Sequence, residues 1–560
     1  KQLSHHYLQL QLAGSGQNTA GVGAKVFLYA NGQQQYLEQM PTRGYQSSVS
    51  PILHFGLGSV TTVDSLQIVW PSGKQQLRRH IAANQRLTLR EQEAQGTYRA
   101  KNKVKPVFTE VQSPIGFTHQ PAAVNDFKRQ PLLVNPQSFA GPCLVKADVN
   151  GDGLADVYAG GSTGQPGTLY LQQRNGTFTV KPNPAFIADK ASEDTDALFF
   201  DANGDKHLDL YVTSGGYGNY LPQDPLLQDR LYLGDGTGNF TKAAAALPTM
   251  LTSTSCVRAN DVNGDGALDL FVGGRVIPGR YPEAPRSYLL LNNGQGQFKD
   301  ATAQLAPQLQ HLGMVTDAAW HDLNNDQQAE LILVGEWLPV TVFQHQNGKL
   351  QDNTQAYFAQ PQRGWWNKLL IGDFNQDNKA DLLVGNLGLN AQCQATDKQP
   401  AELYYKDFDE NGSVDPILCF YMQGKSYPYV TRDELLDQLS MMRTRFPDYK
   451  SYADATLQDI FTPEELKGAK RLVANNLKTS YFVGGANGQF TPQALPIEVQ
   501  FAPVYAMTTL DYNQDGHPDL LLAGNQHQAR LRFGRYDANY GVLLQGDGKG
   551  KFTYVPPGQA

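Results

Sequence analysis

Cysteine is scarce: four in 560 residues, at 143, 256, 393 and 419. That is too few for a disulfide scaffold, and no C-x-x-C pair exists to hold a structural zinc. Cys143 and Cys256 each stand five residues before an acidic loop described below, which reads as two buried strand thiols. Cys393 and Cys419 are near enough in sequence to leave a pairing open. Basic residues are not in excess either. Lys plus Arg is 46 against 53 Asp plus Glu, a net charge of −7, and no basic domain stands out to bind nucleic acid. No run of 18 apolar residues is present, so no helix is expected to span a membrane. No secretory leader precedes Lys1, and the chain opens directly in strand-like alternation at His6–Leu12. It reads as a mature chain or a fragment from which an export signal or lipid anchor is missing. Charged residues are only 18%, whereas Gly (54) and Pro (32) are plentiful. The balance favours many strands joined by turns, and the length exceeds a single core.

What is abundant is repetition. The pattern D-x-N-x-D-x-x-x-[DE] occurs six times, beginning at Asp148, Asp201, Asp261, Asp322, Asp373 and Asp511. A variant copy begins at Asp407, with Asp409 at its third position and Asn411 at its fifth. A short apolar stretch follows most copies. A second motif trails behind: an apolar strand, a Gly-rich turn and G-x-F, as in Leu169–Phe178, Leu231–Phe240, Leu289–Phe298, Tyr481–Phe490 and Leu543–Phe552. Asn-Gly and Asp-Gly between alternating runs are hairpin signals. Each unit therefore reads strand, acidic loop, strand, strand, turn, strand: one four-stranded antiparallel blade. Arrays of such blades make a β-propeller. The loops are spaced 53, 60, 61, 51 and then 138 residues apart. The long gap holds the variant loop and a stretch, 431–475, where Thr431 with Glu434 and Thr462 with Glu465 form capping boxes. Two or three helices are expected there. The array has seven blades if the variant loop marks one, six if that loop belongs to the insertion; seven is the expectation.

The loops have the chemistry of calcium sites. Calcium takes six to eight oxygen ligands, mostly carboxylates, amides and backbone carbonyls. Positions 1, 3, 5 and 9 would give side chains and position 7 its backbone carbonyl. The predicted ligands are Asp148, Asn150, Asp152, Leu154 and Asp156 in the first loop, and Asp201, Asn203, Asp205, His207 and Asp209 in the second. The third has Asp261, Asn263, Asp265, Ala267 and Asp269, and the fourth Asp322, Asn324, Asp326, Gln328 and Glu330. The fifth has Asp373, Asn375, Asp377, Lys379 and Asp381, and the variant Asp407, Asp409, Asn411, Ser413 and Asp415. The last has Asp511, Asn513, Asp515, His517 and Asp519. Gly at position 6 (Gly153, Gly266, Gly412, Gly516) suits a left-handed turn; Asn378 tolerates one, while Lys206 and Gln327 fit it less well. An EF-hand is excluded because position 12 is apolar in every copy: Ala159, Val212, Val272, Leu333, Val384, Leu418 and Leu522. Plain Asp/Asn turns are the competing reading. Seven clusters of three carboxylates without a cation would be costly, so five to seven Ca2+ ions are expected. Seven would bring the net charge from −7 to +7.

These loops and the trailing G-x-F hairpins resemble FG-GAP (VCBS-type) repeats, the blades of the integrin α-subunit propeller, over roughly residues 105–556. The resemblance implies calcium in the nine-residue loop. Residues 1–92 hold no such loop and alternate like strands at Tyr7–Leu12, Lys25–Tyr29, Ser65–Trp70 and Arg86–Leu89. Their segments Gly21–Ala24, Gly44–Ser48, His54–Gly58 and Trp70–Gly73 resemble the ASPIC/UnbV domain, which accompanies FG-GAP repeats in cartilage acidic protein and its bacterial relatives. In the animal protein the repeats come before that domain; here the domain comes first, consistent with repeats upstream. The resemblance implies an extracellular or outer-surface protein. Residues 93–106 read as a linker, and 107–560 as the propeller.

Catalytic groups are hard to find. Gly160-Gly161-Ser162-Thr163-Gly164 matches G-x-S-x-G but joins two strands, where a nucleophile elbow needs a strand-to-helix turn. His54 lies in an apolar run and reads as structural, and His207 and His517 would point their rings to solvent. Trp365-Trp366 beside Arg363 is a candidate sugar platform, against the commoner split of one ring inside and one outside. The Tyr-rich stretch 404–429 and the helical insertion are a candidate docking surface. The expected function is non-enzymatic: a secreted or cell-surface, calcium-stabilised binding or adhesion protein recognising a protein or glycan, attached in a bacterium to an uptake or adhesion complex of the outer surface. A calcium-dependent lectin and a propeller-borne polysaccharide lyase or dehydratase are the alternatives.

Overall fold

The computed structural model describes residues 5–98, 106–139 and 141–556, and the chain divides into two compact units at Lys105 and Pro106. The first unit has two main sheets and a two-stranded ribbon, Thr42–Gly44 with Ser47–Ser48. One is three-stranded, with His6–Ala13 between Ile52–Gly58 (antiparallel) and Gln85–Arg90 (parallel). The other is five-stranded, in the order Gly96–Thr97, Lys74–Ala82, Thr62–Val69, Lys25–Ala30, Gln33–Glu38. Strict alternation sends Leu8, Leu10, Leu12, Val26, Leu28, Leu53, Phe55, Leu66 and Ile68 into one core with Trp70. Gly21 lies against that tryptophan with a φ of +62°, and a Cβ there would stand 3.1 Å from Trp70 and from Leu12. The same alternation corrects one expectation: His54 falls on the outer side of its strand, exposed and stacked on Tyr7 at 5.6 Å. Of the expected linker, Glu93 closes a 3-10 turn and Gly96–Thr97 extends the larger sheet; 99–105 lie outside the described residues.

The second unit is the propeller. Six antiparallel sheets, each with four strands in chain order, follow one another, starting at Leu144, Glu193, Ser253, Met314, Lys368 and Ala506; in the fourth, Arg363–Trp365 adds a fifth strand against the second. The acidic loop joins the first strand to the second in each. Among the described residues the blades number six, where seven was the expectation. The variant loop lies on a seventh sheet, ordered Lys425–Pro428, Asp415–Met422, Ala401–Lys406, Lys470–Ala474, which is inserted between the second and third strands of the fifth blade (Asp381–Gly385 and Ser480–Gly484). Both expected capping boxes form, at Thr431/Glu434 and Thr462/Glu465. The insertion holds four short helices, Arg432–Gln438, Tyr449–Tyr452, Leu457–Ile460 and Pro463–Leu466, one or two more than expected. Its sheet packs into two cores. One joins it to these helices, through Ile417, Leu435, Leu439 and Ile460. The other joins it to the blade ends opposite the acidic loops, where Tyr217, Val276, Trp337, Leu387 and Tyr536 meet Leu403, Leu418 and Phe420. No described helix is long and apolar enough to cross a membrane.

All four cysteines are buried and free, so Cys393 and Cys419 do not pair. Trp365 and Trp366 are both buried, and Trp365 packs edge-on to Trp337 with centroids 5.2 Å apart. Neither ring is left for a sugar.

Charges are buried between blades. Asp194 receives Arg230 Nη2 at 2.7 Å, Tyr158 Oη at 2.9 Å and the Gly161 amide at 2.8 Å, joining the first blade to the second. Its neighbour Glu193 meets no cation among the described residues. Burial lifts the Glu193 carboxyl to about 7, with the Thr163 hydroxyl pulling the other way and the Asp194 and Asp126 charges adding to the rise. A carboxyl raised in the folded state withholds stability as pH climbs from its unfolded value through its folded one. Glu193→Gln is therefore expected to be more stable than wild type by roughly 3 kcal/mol at pH 8 and by about 1 kcal/mol at pH 5. Denaturant unfolding at the two pH values checks this; a gap that does not widen with pH refutes it.

Candidate metal centres

All seven loops close in one way, the position-6 amide donating to the position-1 carboxylate and the position-7 amide to the position-5 side chain. In the first, Asp148 accepts the Gly151 amide at 2.8 Å on Oδ1 and the Gly153 amide at 2.8 Å on Oδ2. Asn150 Oδ1 accepts the Asp152 amide and Asp152 Oδ1 the Leu154 amide, at 3.0 and 2.9 Å. Such closure requires positive φ at position 6. Gly153 (+83°), Gly266 (+88°), Gly412 (+89°) and Gly516 (+80°) adopt it freely. Asn378 (63°) accommodates the same turn, while Lys206 (71°) and Gln327 (69°) are forced into it, so these two loops carry backbone strain that the glycine loops avoid.

Position 9 begins the second strand and is buried in all seven copies: Asp156, Asp209, Asp269, Glu330, Asp381, Asp415 and Asp519. In the aspartates of the six blades, one oxygen accepts the position-2 amide and the other an amide of the third strand. Asp156 takes Val149 and Gln172, Asp209 takes Ala202 and Gly234, and Asp519 takes Tyr512 and Gly546. The carboxylate thus ties loop, second strand and third strand together. In the inserted sheet the strand order differs and no third-strand amide is in place. Gln438 of the first inserted helix takes over, its Nε2 donating to Asp415 Oδ1 at 2.6 Å. Burial raises the Asp209 and Asp415 carboxyls to about 6, against the pull of these hydrogen bonds.

The donor set fits a hard cation. No carboxylate of the seven loops takes part in an ion pair among the described residues. The position-7 carbonyls of Leu154, His207, Ala267, Gln328, Lys379, Ser413 and His517 accept no hydrogen bond among those residues, though each amide is used. At the variant loop, oxygens of Asp407, Asp409 and Asp415 lie within 4.8 Å of one another. Asp409 Oδ1 and Gln438 Oε1 are buried there with no hydrogen-bond partner. An ion of oxygen preference satisfies such acceptors; a Lys or Arg side chain does not reach them.

Of the other predicted groups, His207 is exposed as expected and His517 is half-buried. The His207 and His517 rings lie over the turn glycines Gly236 and Gly548, where an added Cβ would come within 2.3 Å of each ring. His517 Nδ1 also meets Gln376 at 2.9 Å, linking the fifth and last loops. Ser162 is buried and its hydroxyl donates to the Gln120 carbonyl, so this serine is not presented as a nucleophile. One feature escaped the sequence reading. Asp196, Arg258, Asp317 and Lys368 stand on the first strands of the second to fifth blades and alternate in sign. Arg258 bridges Asp196 (2.6 Å) and Asp317, and Lys368 meets Asp317 at 3.0 Å. Three of the four stand five residues before an acidic loop, a signal visible only once blade register is known.

The comparisons with known proteins define the class. The family model described as ASPIC and UnbV matches residues 14–96. That described as FG-GAP-like repeat matches 148–212, 214–272 and 322–384, stretches that take in five of the acidic loops. The chain thus carries an ASPIC/UnbV domain followed by a propeller of FG-GAP-like repeats. No curated protein matches it. Among solved structures, it is similar to an Agrocybe aegerita lectin described as recognising non-reducing terminal N-acetylglucosamine, with 13% identity, 98% of this chain and 92% of that one covered, and a TM-score of 0.38. The V. cholerae biofilm matrix protein Bap1 aligns at 12% identity over 75% and 81%, with a TM-score of 0.28. A family 32 glycoside hydrolase from Bifidobacterium adolescentis aligns at 8% over 77% and 87%, with a TM-score of 0.22.

Proposed function

We propose that the chain is a calcium-stabilised, non-enzymatic binding or adhesion protein of the cell exterior, with a protein or glycan as partner. The observation that carries the calcium reading is the set of loop carboxylates without a cation, with the unpartnered Asp409 Oδ1 at its centre. The ions staple each blade through its position-9 carboxylate; they are structural. The partner surface is the end of the array away from the loops. There the inserted helices, the exposed Leu221 and the 525–541 loop, with Leu531 and Tyr540 fully exposed, present apolar and aromatic groups. Scattered exposed apolar residues are ordinary, but a group of them on loops marks an interaction face.

Isothermal titration of the metal-stripped protein is expected to count five to seven calcium ions, and Asp148→Ala with Asn150→Ala to remove one. An unchanged count in the double variant refutes the ligand assignment at that loop. Capture on a glycan array and from a cell-surface extract, each in calcium and in chelator, tests the binding role. Tyr540→Ser with Leu531→Ser is expected to weaken capture at least ten-fold without changing the ion count. Capture that survives both substitutions moves the binding face elsewhere, and cleaved or unsaturated sugar products would make the protein an enzyme.

A further inference from the structure

The interfaces between blades follow one register. Two residues past each position-9 acid, a large side chain faces the next blade: Tyr158, Tyr211, Phe271, Ile332 and Leu383, all fully buried. The residues one and three past the acid face the preceding blade and meet it, as Leu210 and Val212 meet Tyr158, and Leu520 and Leu522 meet Leu383. The sixth blade breaks the series. Leu521 holds the same position but is only partly buried, and Thr508 and Ala523 beside it are exposed. On that flank Leu543 and its ladder partner Val555 are the buried apolar side chains among the described residues. The first blade is unmatched on its opposite flank. Val157, Ala159 and Tyr170 cluster there with no residue of another blade, and Leu144 and Val180 are 63% and 56% exposed.

The chain just before the first blade supplies the third observation. Fourth strands begin Phe-Thr in four blades, at Phe178, Phe240, Phe490 and Phe552. Seven to ten residues past the start of each fourth strand, an apolar side chain plugs the gap to the next blade: Phe186, Met250, Leu305, Phe358 and Val499. Val107–Val111 reads VFTEV, and Ile115 and Phe117, seven and nine residues past Phe108, plug the free flank of the first blade in the same way. Yet this segment pairs with nothing among the described residues. Phe108 is 44% and Val111 77% exposed.

We infer that the array takes a seventh blade between the sixth and the first, built on Val107–Val111 as its fourth strand. The occupant is one further three-stranded repeat segment: strand, acidic loop, strand, strand. Its second strand carries apolar residues one and three past the acid, to meet Leu521, and a large one two past it, to meet Val157 and Ala159. Main-chain pairing with Val107–Val111 completes the sheet, as strand addition does at other open edges. The inference is independent of calcium occupancy.

The test fuses a copy of residues 253–292, the first three strands of the third blade, to the C-terminus of the full chain through a flexible linker. The control fusion carries Leu270→Asp and Val272→Asp within the appended copy only. Amide exchange at Phe108–Val111 is expected to slow at least ten-fold relative to the control, with a higher melting temperature, and Phe108→Asp to cancel both gains. Equal exchange and melting in the two fusions overturns the inference. So does a parent chain that sediments as a dimer with Phe108–Val111 already protected, since a second copy would then fill the position.

Discussion

Chelation of divalent cations is expected to lower the melting temperature of this protein by at least ~10 °C. One site at a hundred-fold excess of calcium over its dissociation constant contributes about 2.7 kcal/mol, and the blades repeat that contribution. The loss is cooperative with the fold, because in five blades the position-9 aspartate holds a third-strand amide as well as the loop. Without the ion, three carboxylates face one another in a cage partly closed to water. Restoring calcium, but not magnesium, is expected to recover the melt, since magnesium sheds water reluctantly and demands octahedral geometry. Scanning calorimetry with and without chelator decides it; coincident transitions would refute the metal reading for all the loops together.

The second large effect is expected at Arg258. Its guanidinium lies between Asp196 and Asp317 and its Nε donates to the Ala318 carbonyl at 2.7 Å. Burial pushes the Asp317 carboxyl upward, but the Arg258 and Lys368 charges hold it below its ordinary value. A carboxyl depressed in the folded state stabilises above its unfolded value and loses that stabilisation as pH falls through the folded one. Arg258→Met would leave Asp317 buried and underpaired, a change of about 3–5 kcal/mol in comparable ion networks. Adding Asp317→Asn is expected to restore part of the loss, because the uncompensated charge is then gone. Denaturant midpoints for the two single variants and the double variant close the cycle. Additive losses would show that the two side chains do not act on each other.

The repeats were legible because their chemistry is local. Nine residues close each loop around their own carboxylates, and G-x-F marks each hairpin without reference to anything distant. The first unit was legible through alternation, which also put His54 outside once its strand was paired. What was not legible depends on contacts far apart in sequence. The variant loop looks like a blade marker, yet Asp407–Asp415 belongs to an inserted sheet, and only the pairing of Val384 with Ser480 reveals this. Gln438 stands in for a missing strand amide and carries no motif of its own. The belt from Asp196 to Lys368 crosses four blades and needs their register. Trp365 and Trp366 are both buried because one short strand pairs with the fourth blade while the next residue turns into the core of the fifth.

The insertion also sets an order in time. In the second blade, Val212 pairs with Arg230, 18 residues on; in the fifth, Val384 must wait for Ser480, 96 residues on. The longer closure costs about 1.5 kcal/mol more in chain entropy, and contacts of high sequence separation form late. As the chain leaves the ribosome, the first four blades can assemble one after another from contiguous segments. The fifth has only half a sheet until the whole inserted sheet and its helices have emerged. Its open second strand is then the edge most exposed to mispairing, and rapid folding of the insertion is what brings its partner home.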